Sequence, residues 1–143
     1  MGASLLTALN ILNYNLGSQA YSPSLPANFY VGLSTVTIVI TATTGIGTVV
    51  EPATANGYTR VTSANNTSSW TTATTTAGLS NKLDLAFPTS SSPWGTILAV
   101  FLADSGTRNA GNVWWYLNLA APIIVQTSTI ITLAAGTVTF TLT

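Results

Sequence analysis

The sequence predicts a mainly β protein, an antiparallel, jelly-roll-like β-sandwich with one short N-terminal helix. Val, Ile, Thr and aromatic residues dominate from Phe29 onward, and these residue types favour strands. Turn residues recur there about every eight to twelve positions, as expected for short antiparallel strands. A length of 143 residues fits one domain. We therefore expect a single domain over residues 1–143, in which residues 1–28 form a helix and a connector arm.

The helix is predicted from leucine spacing near the N-terminus. Leu5, Leu9, Leu12 and Leu16 follow the i, i+4, i+7, i+11 pattern that lines one helical face. Ser4 suits the N-cap position, and an isolated helix of this length is marginal in water. The leucine stripe is therefore expected to pack on an open end of the sandwich or on a partner subunit.

The strands are predicted from β-favouring runs between turn signals. The last two strands are expected to form a tight hairpin around Ala135-Gly136, and Asn56-Gly57 suits a type I′ hairpin turn. Glu51 and Arg60 flank that turn and can pair across it. The predicted strands are Phe29–Ser34, Thr35–Thr43, Thr48–Glu51, Tyr58–Ser63, Leu83–Phe87, Gly95–Ala103, Val113–Leu119, Ile123–Val125, Ser128–Leu133 and Thr137–Leu142.

Charge is scarce along the whole chain, and this excludes several classes of function. There are three basic residues, three acidic residues, no His and no Cys. Most enzymes need a titratable group tuned to the working pH, so we predict no catalytic residue, no metal site and no cofactor. Three scattered basic residues cannot bind nucleic acid or an anionic membrane surface. No apolar run approaches the roughly 20 residues of a spanning helix, so no membrane partner is expected.

The tryptophans favour a core or a subunit interface. Trp114 and Trp115 are adjacent, so on a regular strand they face opposite sides. One is expected in the core and the other under a neighbouring subunit. Low charge together with 47% hydrophobic residues also suits an obligate assembly. The alternative is a carbohydrate-stacking platform formed by Trp70, Trp94, Trp114, Trp115 and Tyr116.

Five sequence elements occur in an order that points to a family. They are a "yVGLxT" strand at Phe29–Thr35; Glu51 before a "GGYaR" element at Asn56–Arg60; "FP…WGt" at Phe87-Pro88 and Trp94–Thr96; "D…GN…y" at Asp104, Gly111-Asn112 and Tyr116; and a C-terminal "L…P..v…aG" element at Leu119, Pro122, Val125 and Ala135-Gly136. This order resembles a group of small phage virion proteins, labelled tail-fibre-like or minor structural proteins. Asn56 departs from the pattern by replacing its first glycine.

The resemblance implies a non-enzymatic component of a phage particle, located in the virion after assembly in the bacterial cytoplasm. We predict a capsid decoration (cement) protein that stabilises the shell; the alternatives are a tail fibre or tail adaptor component, or a carbohydrate-binding module. The implied partners are further copies of the chain, with a trimer favoured, and the major capsid protein or tail proteins. Candidate assembly residues are Leu5, Leu9, Leu12, Leu16, Trp114 and Trp115, and candidate structural anchors are Tyr58, Arg60 and Trp94.

Overall fold

The computed structural model describes residues 2–17, 24–40, 45–72 and 78–141. The predicted class is confirmed, because the described elements are antiparallel strands with one short α-helix. In chain order they are β1 (Gly2–Ala3), α1 (Leu5–Gly17), β2 (Asn28–Ser34), a 3₁₀ turn (Thr54–Asn56), β3 (Val61–Ala64), β4 (Gly78–Ser80), β5 (Leu85–Ala86), β6 (Gly95–Ala103), β7 (Val113–Val125), β8 (Thr132–Leu133) and β9 (Thr139–Thr141).

A five-stranded antiparallel sheet forms the frame of the molecule. Its strand order is β1-β7-β6-β2-β3. Two short ladders, β4–β9 and β5–β8, complete the described β structure. The larger core packs one face of the main sheet against side chains of these ladders, such as Leu85 and Phe140. The arrangement is sandwich-like, since two β layers share this core.

The opposite face of the main sheet is covered by irregular chain. Ile38 and Val49 pack there against Phe101 of β6 and Val113 of β7. The predicted strands at Thr35–Thr43 and Thr48–Glu51 are therefore wrong over their described residues, while residues 41–44 lie outside the described chain. The physical reason is that the side chain of Asn118 bonds to the backbone of Ile38 in place of a neighbouring strand. Asn118 accepts from Ile38 N at 2.7 Å and donates to Ile38 O at 3.1 Å.

The C-terminal hairpin prediction is also wrong. Strand β8 pairs with β5, and β9 pairs with β4. Buried Asn81 holds the connecting turn instead: its Nδ2 donates to Ala134 O at 2.9 Å, and its Oδ1 accepts from Val138 N at 2.9 Å. A buried amide that satisfies several backbone groups stabilises an irregular turn without a hairpin ladder.

The turn at Asn56-Gly57 differs from the type I′ prediction. Asn56 ends the 3₁₀ turn, and only Gly57 has a positive φ, of 80°. Asn56 O accepts from the indole Nε1 of Trp94 at 2.8 Å, and its Nδ2 donates to Pro93 O at 3.0 Å. These long-range bonds anchor the turn to the segment before β6.

Helix α1 begins where the sequence predicted, but its buried side is partly polar. Ser4 Oγ accepts from Thr7 N at 3.2 Å, which is the expected N-cap bond. Ser4, Leu6, Thr7 and Asn10 are buried. Ser4 N and Thr7 Oγ1 both donate to Trp114 O, so the first turn of α1 is fixed to β7.

Candidate functional site

A buried polar network surrounds the carboxylate of Glu51. Oε1 accepts from Tyr58 OH and from Arg60 Nε, both at 2.8 Å. Oε2 accepts from Arg60 Nη2 at 2.8 Å and from Asn109 N at 2.7 Å. Glu51 is 2% exposed and Arg60 is 7% exposed. The expected pairing of Glu51 with Arg60 is confirmed, as a bidentate ion pair of the strong kind.

The Arg60 guanidinium connects this carboxylate to the loop after β6. Its Nη1 donates to Ser105 O and, at 3.0 Å, to Ala110 O. The guanidinium carbon also lies 5.0 Å from the ring centroid of Phe101. Arginine stacks on aromatic faces while keeping its planar donors. Arg60 therefore fixes the loop to the sheet.

A second part of the network positions the start of β7. Asp104 accepts from Asn112 N at 2.7 Å, from Asn112 Nδ2 at 2.8 Å and from Trp114 Nε1 at 3.2 Å. Arg108 donates from Nη2 to Glu51 O and from Nε to Pro52 O, both at 2.7 Å, so its side chain holds the backbone of the Glu51 segment. Four of the six charged side chains of the chain thus lie in one loop cluster.

The electrostatics of the network keep Glu51 ionised. Burial raises the pKa of Glu51, but hydrogen bonds from Arg60, Asn109 and Tyr58 and the charge of Arg60 outweigh it. Its pKa therefore lies below the ordinary value of 4.5. Burial and the adjacent carboxylate raise the pKa of Tyr58, which keeps its hydroxyl protonated. The hydroxyl can then donate to Glu51 and accept from Leu33 N at 2.9 Å.

The residues of the family-like elements converge on this network. Glu51, Tyr58, Arg60, Asp104 and Asn112 all take part in it. Gly32 of the "yVGLxT" strand lies against it, because a Cβ there would be 2.3 Å from Phe101 Cζ. Their donors and acceptors bond to the chain itself, so the motif residues serve its architecture.

The residues predicted as structural anchors, Tyr58, Arg60 and Trp94, are all buried. Tyr58 is fully buried, and Trp94 is 4% exposed. The rings of Tyr58 and Trp94 meet edge to face at a centroid distance of 5.3 Å, a geometry that aromatic pairs favour. Sequence reasoning missed the amides of Asn81, which is buried, and of Asn118, which is exposed, because no sequence signal shows which amides bond to distant backbone.

The adjacent tryptophans lie on the same side of the sheet, and the prediction of opposite faces is wrong. A register shift falls between Leu102, which pairs with Trp115, and Ala103, which pairs with Val113. Trp114 is the additional residue of a β-bulge, which redirects its side chain. Both tryptophans pack against the larger core. Trp114 is 1% exposed, so exposed surface for the predicted subunit contact is present only at Trp115.

The leucine stripe of α1 presents bare apolar surface. Leu9, Leu12 and Leu16 are 37%, 54% and 84% exposed; the Leu5 side chain lies outside the described residues. Tyr14 of the same helix is 56% exposed. The described part of the chain therefore leaves the predicted assembly stripe open.

The carbohydrate-platform alternative requires exposed ring faces. Trp70, Trp94 and Trp114 are 7%, 4% and 1% exposed, so they form no open platform. Among residues 2–17, 24–40, 45–72 and 78–141, no group of three metal-ligating side chains occurs. Helices within the same ranges are too short or too polar to cross a membrane.

The described motif residues bond to other parts of the chain and so hold its own fold together. The class of protein follows from the comparison with family models. The model described as "Podophage GP4 fiber I protein gp80" matches residues 2–141, and the chain belongs to this family. It is a phage fibre-type structural protein and a virion component. No curated protein matches the chain.

Proposed function

We propose that this protein is a subunit of a tail fibre or tail adaptor, and that it assembles through the exposed face of α1. The observation that carries the proposal is the bare leucine stripe at Leu9, Leu12 and Leu16. The matching family describes a fibre protein, which supports the tail alternative over the capsid decoration first predicted from the sequence.

The geometry of α1 suits a docking role. Its N-terminal turn is anchored to β7 through Trp114 O, while the apolar residues of its second half face away from the core. Burying a leucine contributes roughly 1.5–3 kcal/mol, so two or three such residues from each copy can hold an assembly together. The partner is a second copy of the chain in a homo-oligomer, with a trimer favoured, or an adjoining virion protein.

A matched pair of variants tests the docking face. The double variant Leu12→Ser, Leu16→Ser should keep its melting temperature, but it should lose self-association in sedimentation and incorporation into particles. The control is Leu83→Ser, at a leucine that is 59% exposed outside the helix. It should assemble normally. Equal assembly of both variants and the wild type would refute the role of α1.

Copy number in purified particles tests the location. Quantitative mass spectrometry should find the few copies of a tail component. The large copy number of a shell protein would instead establish capsid decoration and overturn the tail position.

A further inference from the structure

A cavity of about 320 Å³ opens between the main sheet and the β4–β9 ladder. The buried side chains of Phe29, Leu102 and Phe140 line its interior, and the exposed Thr67 and Thr72 lie at its rim. An apolar centre inside a polar rim is the usual anatomy of a protein–protein contact. The cavity therefore has the composition of a docking site for apolar side chains.

Trp115 connects this cavity to the base of α1. Its side chain lines the cavity and is partly exposed, and its backbone pairs with Ala3, just before the helix begins. Leu9, Leu12 and Leu16 of the same copy are nevertheless exposed, so the helix of one copy does not fill its own cavity. The exposed surface of Trp115, which suits the predicted subunit contact, therefore lies in this cavity.

Neither the helix nor the cavity carries a charge. Helix α1 contains no Asp, Glu, Lys or Arg, and none of the described residues that line the cavity is charged. Contact between the two surfaces desolvates no ion, so the cost of burying charge does not offset the gain from apolar burial. A docking segment with charged side chains would meet no opposite charge in the described lining.

The leucines of α1 have the spacing and size that the cavity requires. Leu9, Leu12 and Leu16 stand at i, i+3 and i+7, which is the spacing of the anchors that an amphipathic helix places in a hydrophobic groove. A cavity of about 150 Å³ already holds a benzene molecule. The present cavity, at about 320 Å³, therefore has room for two leucine side chains.

We propose that this cavity receives the leucine stripe of α1 from a second copy of the chain. The inference rests on the docking role of α1 proposed above, and it adds the surface on which the helix docks. Each copy presents one stripe and one cavity, so each contact covers two apolar surfaces that otherwise face water. In a chain with only six charged side chains, covering both surfaces limits non-specific association.

The substitution Thr67→Trp tests the cavity by filling it from the rim. Thr67 is exposed, so the added indole should block the cavity without disturbing the core. Self-association in sedimentation equilibrium should weaken at least about tenfold, because the burial of the leucines is lost. Thr72→Trp is a second blocking variant at another point of the rim. The matched control is Thr62→Trp, at an exposed threonine of β3 outside the lining, which should assemble like the wild type.

A mixing experiment shows which surfaces meet. The double variant Leu12→Ser, Leu16→Ser keeps its cavity but lacks the helix face, whereas Thr67→Trp keeps the helix face but lacks the cavity. Neither variant should self-associate alone. An equal mixture should form a complex that contains both variants, detected by native mass spectrometry, because one intact stripe then meets one intact cavity.

Cross-linking gives a second test that does not depend on blocking the cavity. The chain has no cysteine, so introduced thiols report the contact directly. A short bismaleimide should join Leu16→Cys of one preparation to Thr67→Cys of another. It should not join Leu83→Cys to Thr67→Cys, although Leu83 is 59% exposed.

The outcomes separate this inference from the docking role of α1. Normal assembly of both blocking variants, with assembly lost in Leu12→Ser, Leu16→Ser, would overturn the cavity as the receptor and leave the role of the helix intact. Normal assembly of all three variants would refute both proposals. The cavity contact would also be overturned by a mixture that forms no complex, by the absence of the Leu16–Thr67 cross-link, or by equal weakening in the Thr62→Trp control.

Discussion

The Glu51 carboxylate accepts four hydrogen bonds in the interior of the chain, and its negative charge balances the buried positive charge of Arg60. Removing one partner of a buried ion pair leaves an uncompensated charge. We therefore expect Glu51→Gln to lower the free energy of unfolding by about 3–5 kcal/mol. Urea unfolding followed by circular dichroism would measure the change.

The control for this substitution is Asp84→Asn, which also removes one negative charge. Asp84 is exposed, and its Oδ1 accepts from Ala135 N at 2.8 Å; asparagine retains that acceptor. Its effect should stay within about 0.5 kcal/mol. Equal effects of the two substitutions would mean that the buried network contributes nothing specific.

Glu51 also predicts how stability depends on pH. Its pKa is below 4.5 in the folded chain and close to 4.5 in the unfolded chain. The unfolded state then binds the proton more readily than the folded state. The stabilisation that ionised Glu51 provides is therefore fully present above about pH 4.5, and it is lost as pH falls through the folded pKa. Thermal melts should show falling stability in that acidic range. In Glu51→Gln the dependence should be weaker, and an identical dependence would exclude Glu51 as its source.

At the scale of the element, α1 has two different faces. Leu6 is 4% exposed and packs in the larger core, whereas Leu12 and Leu16 are bare. Deleting residues 1–17 should leave a folded β structure by circular dichroism, with a lower melting temperature and weakened assembly. The lower melting temperature follows from the loss of Leu6, worth roughly 1.5–3 kcal/mol, and of the β1–β7 pairing.

Leu6→Ala separates the two consequences of that deletion. It should destabilise the chain by about 2–5 kcal/mol without changing assembly of the folded protein. If the truncated chain keeps both its melting temperature and its assembly, helix α1 has neither role.

At the scale of the whole molecule, the net charge is zero and only six side chains are charged. Glu51 and Arg60 are buried, and Asp104 and Arg108 are half-buried and bonded within the chain, so assembly should depend on apolar contact and not on ion pairs. Raising sodium chloride should leave the oligomer intact, because screening weakens only charge contacts. Sulfate should strengthen association, since it favours apolar burial. Dissociation by sodium chloride in sedimentation experiments would contradict an apolar interface.

Periodicity and composition were sufficient to predict the class of fold and several of its parts. The leucine spacing and Ser4 located α1, and the apolar run at Gly95–Ala103 located β6 with its observed bounds. The positions of Glu51 and Arg60 on either side of the Asn56-Gly57 turn predicted their pairing, which the structure confirms. These features are local, or follow from residue type, so one sequence contains enough information to predict them.

The tertiary structure decided which faces and turns those local patterns would take. A bulge at Trp114 placed adjacent tryptophans on one side of the sheet, although alternation predicts opposite sides. Asn81 and Asn118 replaced expected ladders by bonding to backbone that is 52 to 80 residues distant. Such features depend on contacts between distant segments, and local propensity carries no information about which segments will meet.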